Sequence, residues 1–147
     1  GPGQLNFSAL IPDLIRSALK LSLFEPRSDG TLLRDYLYID EVIDLYLHIS
    51  KNQFENPSKY SGQIYNAGSN NFYDVRTIVK KIFTKLNNED DFQIILKKMK
   101  NKKTEGEIIN QSMDYQKVQN TFGWKPILDI DKGLDDTIKW YKNYFSK

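Results

Sequence analysis

Apolar positions recur along this chain at helical spacing, broken by short runs in which they alternate as in strands. Ile11, Leu14, Ile15, Ala18 and Leu19 follow i, i+3, i+4, i+7 and i+8, the single apolar face of an amphipathic helix, with Ser8 placed to cap it. A short strand over Leu23–Pro26 leads to Ser28-Asp29-Gly30-Thr31, where the Asp-Gly step predicts a tight turn with glycine at positive φ. The aromatic and β-branched run Arg34–Ile39 reads as a strand. From Asp40 the period changes: Val42, Ile43, Leu45, Tyr46, Leu47 and Ile49 surround most of a helix, which predicts heavy burial.

Lys51–Gly62 is polar and reads as a surface loop, followed by a short strand over Gln63–Ala67 and a turn at Gly68–Asn71. In that turn Asn70 is suited to the bend, because asparagine tolerates left-handed φ. Asp74 is placed to cap a helix whose face is Val75, Ile78, Val79, Ile82, Phe83 and Leu86. Phe92–Leu96 reads as a strand and Lys97–Gly106 as a basic loop. A short helix opens at Asp114, runs through Val118 and Phe122, and stops at Gly123, with Pro126 just beyond. Asp129 or Asp131 starts the last helix, with Leu134, Ile138, Tyr141 and Phe145 on one face. About four short strands against five helices make an α/β pattern that covers a sheet poorly and looks like one half of an architecture.

Composition narrows the chemistry. The 147 residues fit one domain, 1–147, with a real core. A net charge of +2 argues against a nucleic-acid binder, and no apolar run approaches the roughly 20 residues that a membrane span requires. The chain has no cysteine, which removes disulfides, zinc fingers and thiol nucleophiles. With one histidine, His48, a histidine metal site or a Ser-His-Asp triad is not expected; His48 itself reads as structural within its helix. Without a secretory signal the default is a soluble cytoplasmic protein. The chain opens Gly1-Pro2-Gly3-Gln4 rather than with methionine, which reads either as an expression scar or as a piece of something longer.

No glycine-rich phosphate loop follows a strand: neither G-x-G-x-x-G nor a Walker A run occurs. Arg34, entering a strand just after a tight turn, suits bidentate contact with phosphate oxygens; the alternative is an ordinary ion pair with Asp35 or another carboxylate. Lys97, Lys98, Lys100, Lys102 and Lys103 lack interleaved aromatics and read as a solvated loop rather than a phosphate or nucleic-acid site. Trp124 and Trp140 read as core.

Four ordered stretches then point further. Arg34-Asp35-Tyr36-Leu37-Tyr38-Ile39-Asp40-Glu41-Val42 is similar to R-D-[YFW]-[LIV]-[HY]-V-x-D-[VA], and Tyr65-Asn66-Ala67-Gly68-Ser69 to Y/F-N-x-G-[ST]. Asp114–Pro126 is similar to D-x-x-K-A-x-x-x-L-G-W-x-P, and Leu134–Tyr141 to G-L-x-x-T-I-x-W-Y. Together they resemble the extended short-chain dehydrogenase/reductases acting on nucleotide sugars, over essentially the whole chain. Within that family Gln4–Ser8, Ile11–Asp13, Ile15–Ser17, Arg27–Thr31 and Glu107–Gln111 resemble the CDP-glucose 4,6-dehydratases, although neighbouring epimerases share parts of these stretches.

The resemblance implies an α/β C-terminal substrate-binding lobe whose N-terminal Rossmann half, with the NAD fingerprint and the catalytic Tyr-x-x-x-Lys, lies outside this chain. Gly1-Pro2-Gly3 resembles the tail of the Y-G-P-G motif that follows that half. It implies a nucleotide-diphosphate sugar as ligand, NAD as cofactor of the parent enzyme but not of this chain alone, and a homodimeric parent. No catalytic residue is expected here. Asn6 takes the place of an asparagine on the pyrophosphate, or else caps a helix beside Ser8. Arg34 is assigned to phosphate, Arg16 to phosphate, sugar or a solvated helix face, and Arg27 to the base and ribose. Asn66 and Gln111 match motif positions that touch ligand or pack loops. Many relatives carry an arginine before the Glu105-Gly106-Glu107 stretch, where this chain offers only Lys103 as a point charge. The implied activity is a sugar-nucleotide 4,6-dehydratase inactive as this piece; a 4-epimerase, or a stand-alone binding module, are the alternatives. If the Rossmann half is missing, apolar surface should be exposed where it packs.

Overall fold

The computed structural model describes residues 1–103 and 106–146. Among them are seven helices and three short strands. The helices are α1 (Leu10–Ala18), α2 (Ile39–Glu55), α3 (Pro57–Tyr60), α4 (Val75–Lys85), α5 (Glu89–Lys100), α6 (Gln116–Phe122) and α7 (Ile130–Phe145). The strands β1 (Leu33–Asp35), β2 (Phe72–Asp74) and β3 (Asn110–Gln111) form one mixed sheet in the order β2-β1-β3. β1 runs antiparallel to β2, with Arg34 opposite Tyr73, and parallel to β3, with Arg34 opposite Gln111.

α4 is the hub of the larger core. Ile78, Val79, Ile82 and Phe83, all fully buried, meet Leu14 and Ile15 of α1, Phe92, Ile95 and Met99 of α5, and Leu134, Ile138 and Tyr141 of α7. The expected start of α4 is found: the Asp74 carboxylate accepts the Thr77 amide at 2.7 Å, satisfying one of the helix's orphan donors. Asp129 does the same for α7, accepting the Asp131 amide at 3.3 Å. Lys81 and Lys85 of α4 reach Asp131 at 2.6 and 3.4 Å, a surface clamp between the two helices. A second, smaller core joins α2 to α6 through Leu45, Val118 and Trp124, with Tyr65 and Phe122 packed at its edge. Trp124 is thus core, whereas Trp140 is half-buried, stacked on Tyr144.

Several expectations are corrected. Phe92–Leu96 is not a strand but the middle of α5. Glu89, Asp90 and Asp91 fill its first turn and Lys97, Lys98 and Lys100 its last, so charge opposes the helix dipole at both ends. Phe92, Ile95 and Met99 form its buried stripe, and the presumed basic loop is in part this helix's final turn; residues 104 and 105 of that loop lie outside the described residues. Among the described residues Leu23–Pro26 and Gln63–Ala67 pair with no strand, while β2 and β3 arise where none was expected. The polar stretch after residue 50 continues α2 to Glu55 and then makes α3. Ser8 does not cap α1: the cap position is Ala9, and the Ser8 amide instead donates to Asn6 Oδ1 at 3.0 Å.

The heavy burial expected of α2 is absent. Only Glu41 and Leu45 are buried, while Ile43, Tyr46 and Leu47 are 48, 66 and 64% exposed. The apolar residues around this helix therefore face outward. His48 is exposed on the same helix, 3.5 Å from Asp44.

Candidate functional site

β1 owes its start to a turn that only glycine satisfies. Gly30 has φ +82°, and a Cβ there would lie 2.8 Å from Arg76 Cγ and 2.9 Å from Met99 Sδ. Asp29 Oδ1 accepts both the Thr31 amide at 3.0 Å and the Thr31 hydroxyl at 2.7 Å, and Arg76 Nε donates to Asp29 O at 2.7 Å. The turn delivers Arg34 to the wall of a cleft of about 830 Å³. Across from it, α1 supplies Leu10, Asp13 and Arg16, and the extended segment after α1 supplies Leu23, Glu25 and Arg27.

Three of the six sequence-assigned residues, Arg16, Arg27 and Arg34, therefore line one cleft although they come from three different segments. Arg34 Nη1 donates to Leu33 O and Ile108 O, both at 2.9 Å, and Nη2 sits 3.3 Å from Glu107. Its carboxylate partner is thus Glu107 and not the adjacent Asp35. Arg16 is held by Ser22 Oγ at 3.0 Å and Asp13 at 3.3 Å, and lies over the Phe7 ring at 5.0 Å. Arg27 is exposed and, among the described residues, forms no ion pair. Lys98 pairs with Glu25 at the rim, and this hydrogen bond lowers the Glu25 carboxyl from its ordinary value.

The other three stand apart. Asn6 is exposed and spends its side-chain oxygen on the Ser8 amide, so it shapes the entry to α1 while its neighbours Phe7 and Ser8 line the cleft. Gln111 is exposed on β3, in register with Arg34, and Asn66 is exposed before the Gly68 turn; neither lines the cleft.

Two groups escaped the sequence reading. Tyr36 lines the cleft with its hydroxyl buried and unpaired among the described residues, and burial pushes its phenol up to about 12. Its place two residues after Arg34 was the available signal. Glu107, quoted only as part of a motif, is the carboxylate that meets Arg34.

Chemically, three guanidinium groups lining one cleft suit an anion with more than one phosphate. No group of three or more potential metal ligands occurs among the described residues.

No family model matches the chain. It is 26% identical over 141 residues to the dTDP-glucose 4,6-dehydratase of Haemophilus influenzae, covering 90% of this chain and 39% of that protein. Among solved structures it resembles the dTDP-glucose 4,6-dehydratase of Bacillus anthracis in complex with NAD, with a TM-score of 0.71 and 22% identity, over 97% of this chain and 42% of that one. It equally resembles the UDP-glucose 4-epimerase of Thermotoga maritima with UDP-glucose, with a TM-score of 0.71 and 19% identity, over 99% and 43% of the two chains. The curated relatives thus include sugar-nucleotide 4,6-dehydratases and 4-epimerases, and the chain spans well under half their length. No helix among the described residues is long and apolar enough to cross a membrane. In sequence and in fold the chain is similar to the C-terminal part of extended short-chain dehydrogenase/reductases.

Proposed function

We propose that residues 1–147 form one domain that binds a nucleotide-diphosphate sugar for an NAD-dependent sugar-nucleotide 4,6-dehydratase. The observation that carries this reading is the convergence of Arg16, Arg27 and Arg34 on one cleft. Arg34 is the anchor: two carbonyls fix one end of its guanidinium, so little side-chain entropy remains to be lost when phosphate oxygens replace Glu107 on the other. Arg16, stacked on Phe7, faces the same ligand from α1, and Arg27 reaches its nucleoside end. Asn6, Asn66 and Gln111 shape the loops around it.

The chain supplies no catalytic residue and no NAD site of its own. A preceding Rossmann lobe brings both, and the bare apolar face of α2 is where that lobe packs. NAD, held by that lobe, would supply the hydride chemistry at the hexose. This domain's part is remote binding energy that places the sugar for that chemistry. The parent is a cytoplasmic homodimer, and this piece alone is inactive.

A 4-epimerase is the second reading, supported by the UDP-glucuronate 4-epimerases of Arabidopsis thaliana among the relatives, at 25% identity. The two separate by calorimetry with CDP-glucose and UDP-glucose. The dehydratase reading expects CDP-glucose to bind more tightly; tighter UDP-glucose binding overturns it. A stand-alone binding module would instead leave the protein monodisperse despite its exposed α2 face.

A further inference from the structure

Asp35 follows Arg34 on β1, and its carboxylate gathers two other segments. Its oxygens accept the Ser69 amide at 2.9 and 3.2 Å, the Ser69 hydroxyl, and the Met113 amide at 3.5 Å. Gly68 makes room for this: a Cβ there would lie 2.3 Å from Met113 O and 2.6 Å from Asp35 Oδ2. Met113 ends the stretch that began with Glu107 and passed through β3. Within that stretch Ile109 O accepts the Leu33 amide at 3.0 Å, and Ile108 O accepts Arg34 Nη1 at 2.9 Å.

β3 is two residues long and exposed, which is too little pairing to hold itself against β1. The stretch is therefore fastened at both ends. Arg34 holds its start, and Asp35 holds its end together with the Ser69 turn. We infer that Asp35 is a positioning residue for Arg34: by tying Met113 and the 68–71 turn to β1, it keeps Ile108 O where it orients the guanidinium in the cleft. The effect on phosphate binding rests on the reading of Arg34 proposed above; the effect on Arg34 itself does not.

The test is NMR on D35N and S69A. In the wild type the two Arg34 Nη groups should be resolved, because Nη1 is held by two carbonyls. In D35N they should average, and the Leu33 amide should exchange at least tenfold faster relative to Val79, which sits in the α4 core. S69A, which keeps the Ser69 amide, should move both in the same direction by less, and it carries the test if D35N does not fold. Equal acceleration at Leu33 and Val79, or an unchanged Arg34 signal, would reduce Asp35 to a general stabiliser and overturn the inference. Titration with CDP-glucose and, separately, with UDP-glucose completes the test: D35N should bind whichever the wild type binds at least fivefold more weakly, at a temperature where it is fully folded. If the wild type shows the NMR signature but binds no nucleotide, the proposed function fails while the positioning role stands.

Discussion

Glu41, buried in the first turn of α2, accepts the backbone amides of Ile127 at 3.1 Å and Leu128 at 2.7 Å, joining the start of α2 to the loop that enters α7. Oε1 accepts both amides and Oε2 also accepts Ile127 at 3.2 Å, where a glutamine with its oxygen in the Oε1 place would present an NH2 to that amide. E41Q should therefore cost about 1–3 kcal/mol, which for a chain of this size lowers Tm by roughly 3–10 °C. A thermal melt followed at the near-ultraviolet signal of Trp124 checks it. An unchanged Tm would mean that water serves those amides equally well.

The outward face of α2 predicts a different response. I43K and L47K place charges at positions 48 and 64% exposed, so neither should move Tm by more than about 0.5 kcal/mol equivalent. Both should reduce self-association of this chain, measured by sedimentation, because they remove apolar surface that water otherwise borders. A large loss of stability would show that the face is covered within the chain.

Gly68 offers no room for a side chain, since the nearest atoms are backbone and a fastened carboxylate. G68A should cost about 2 kcal/mol or more by forcing Met113 and Asp35 apart. Its damage should concentrate at the Ser69 and Met113 amides in hydrogen exchange and spare those of α4.

The α4–α7 clamp predicts an acid-labile contribution. Hydrogen bonding from Lys81, followed by the nearby charges, holds the Asp131 carboxyl below its ordinary 3.8. A lowered carboxyl pKa stabilises the fold above the unfolded value, and that contribution is lost as pH falls below 3.8 toward the folded value. The pair is largely exposed, so the effect is small. Between pH 5 and 3 the wild type should lose slightly more stability than D131N; equal slopes would remove the clamp from the account.

What the sequence made legible follows from where local physics decides. The α1 and α4 faces, the Asp74 and Asp129 caps, and the turns at Gly30 and Asn70, the latter at φ 55°, depend on neighbours in the chain and were readable. Phe92–Leu96 misled because five apolar-rich residues carry no length; the acidic and basic residues flanking them were the better signal of a helix. β2 and β3 are too short to show a period, and each exists because β1 lies beside it. The apolar girth of α2 predicted heavy burial, and the structure instead leaves Ile43, Tyr46 and Leu47 exposed, because girth alone does not say what packs against a helix. For the site, Arg34 was visible through its turn and motif, and Arg16 and Arg27 through motif alone. Their shared cleft required the tertiary fold, as did the pairing of Arg34 with Glu107, 73 residues away.

The most direct test is a nitrogen-15 NMR titration of the chain with UDP-glucose and CDP-glucose, comparing wild type with R34A. The account predicts shifts confined to the cleft around Arg16, Arg27 and Arg34 for at least one of the two nucleotides, and at least a tenfold loss of affinity in R34A with its fold intact. Binding by R34A as tight as by the wild type, or shifts that avoid those three arginines, would contradict it.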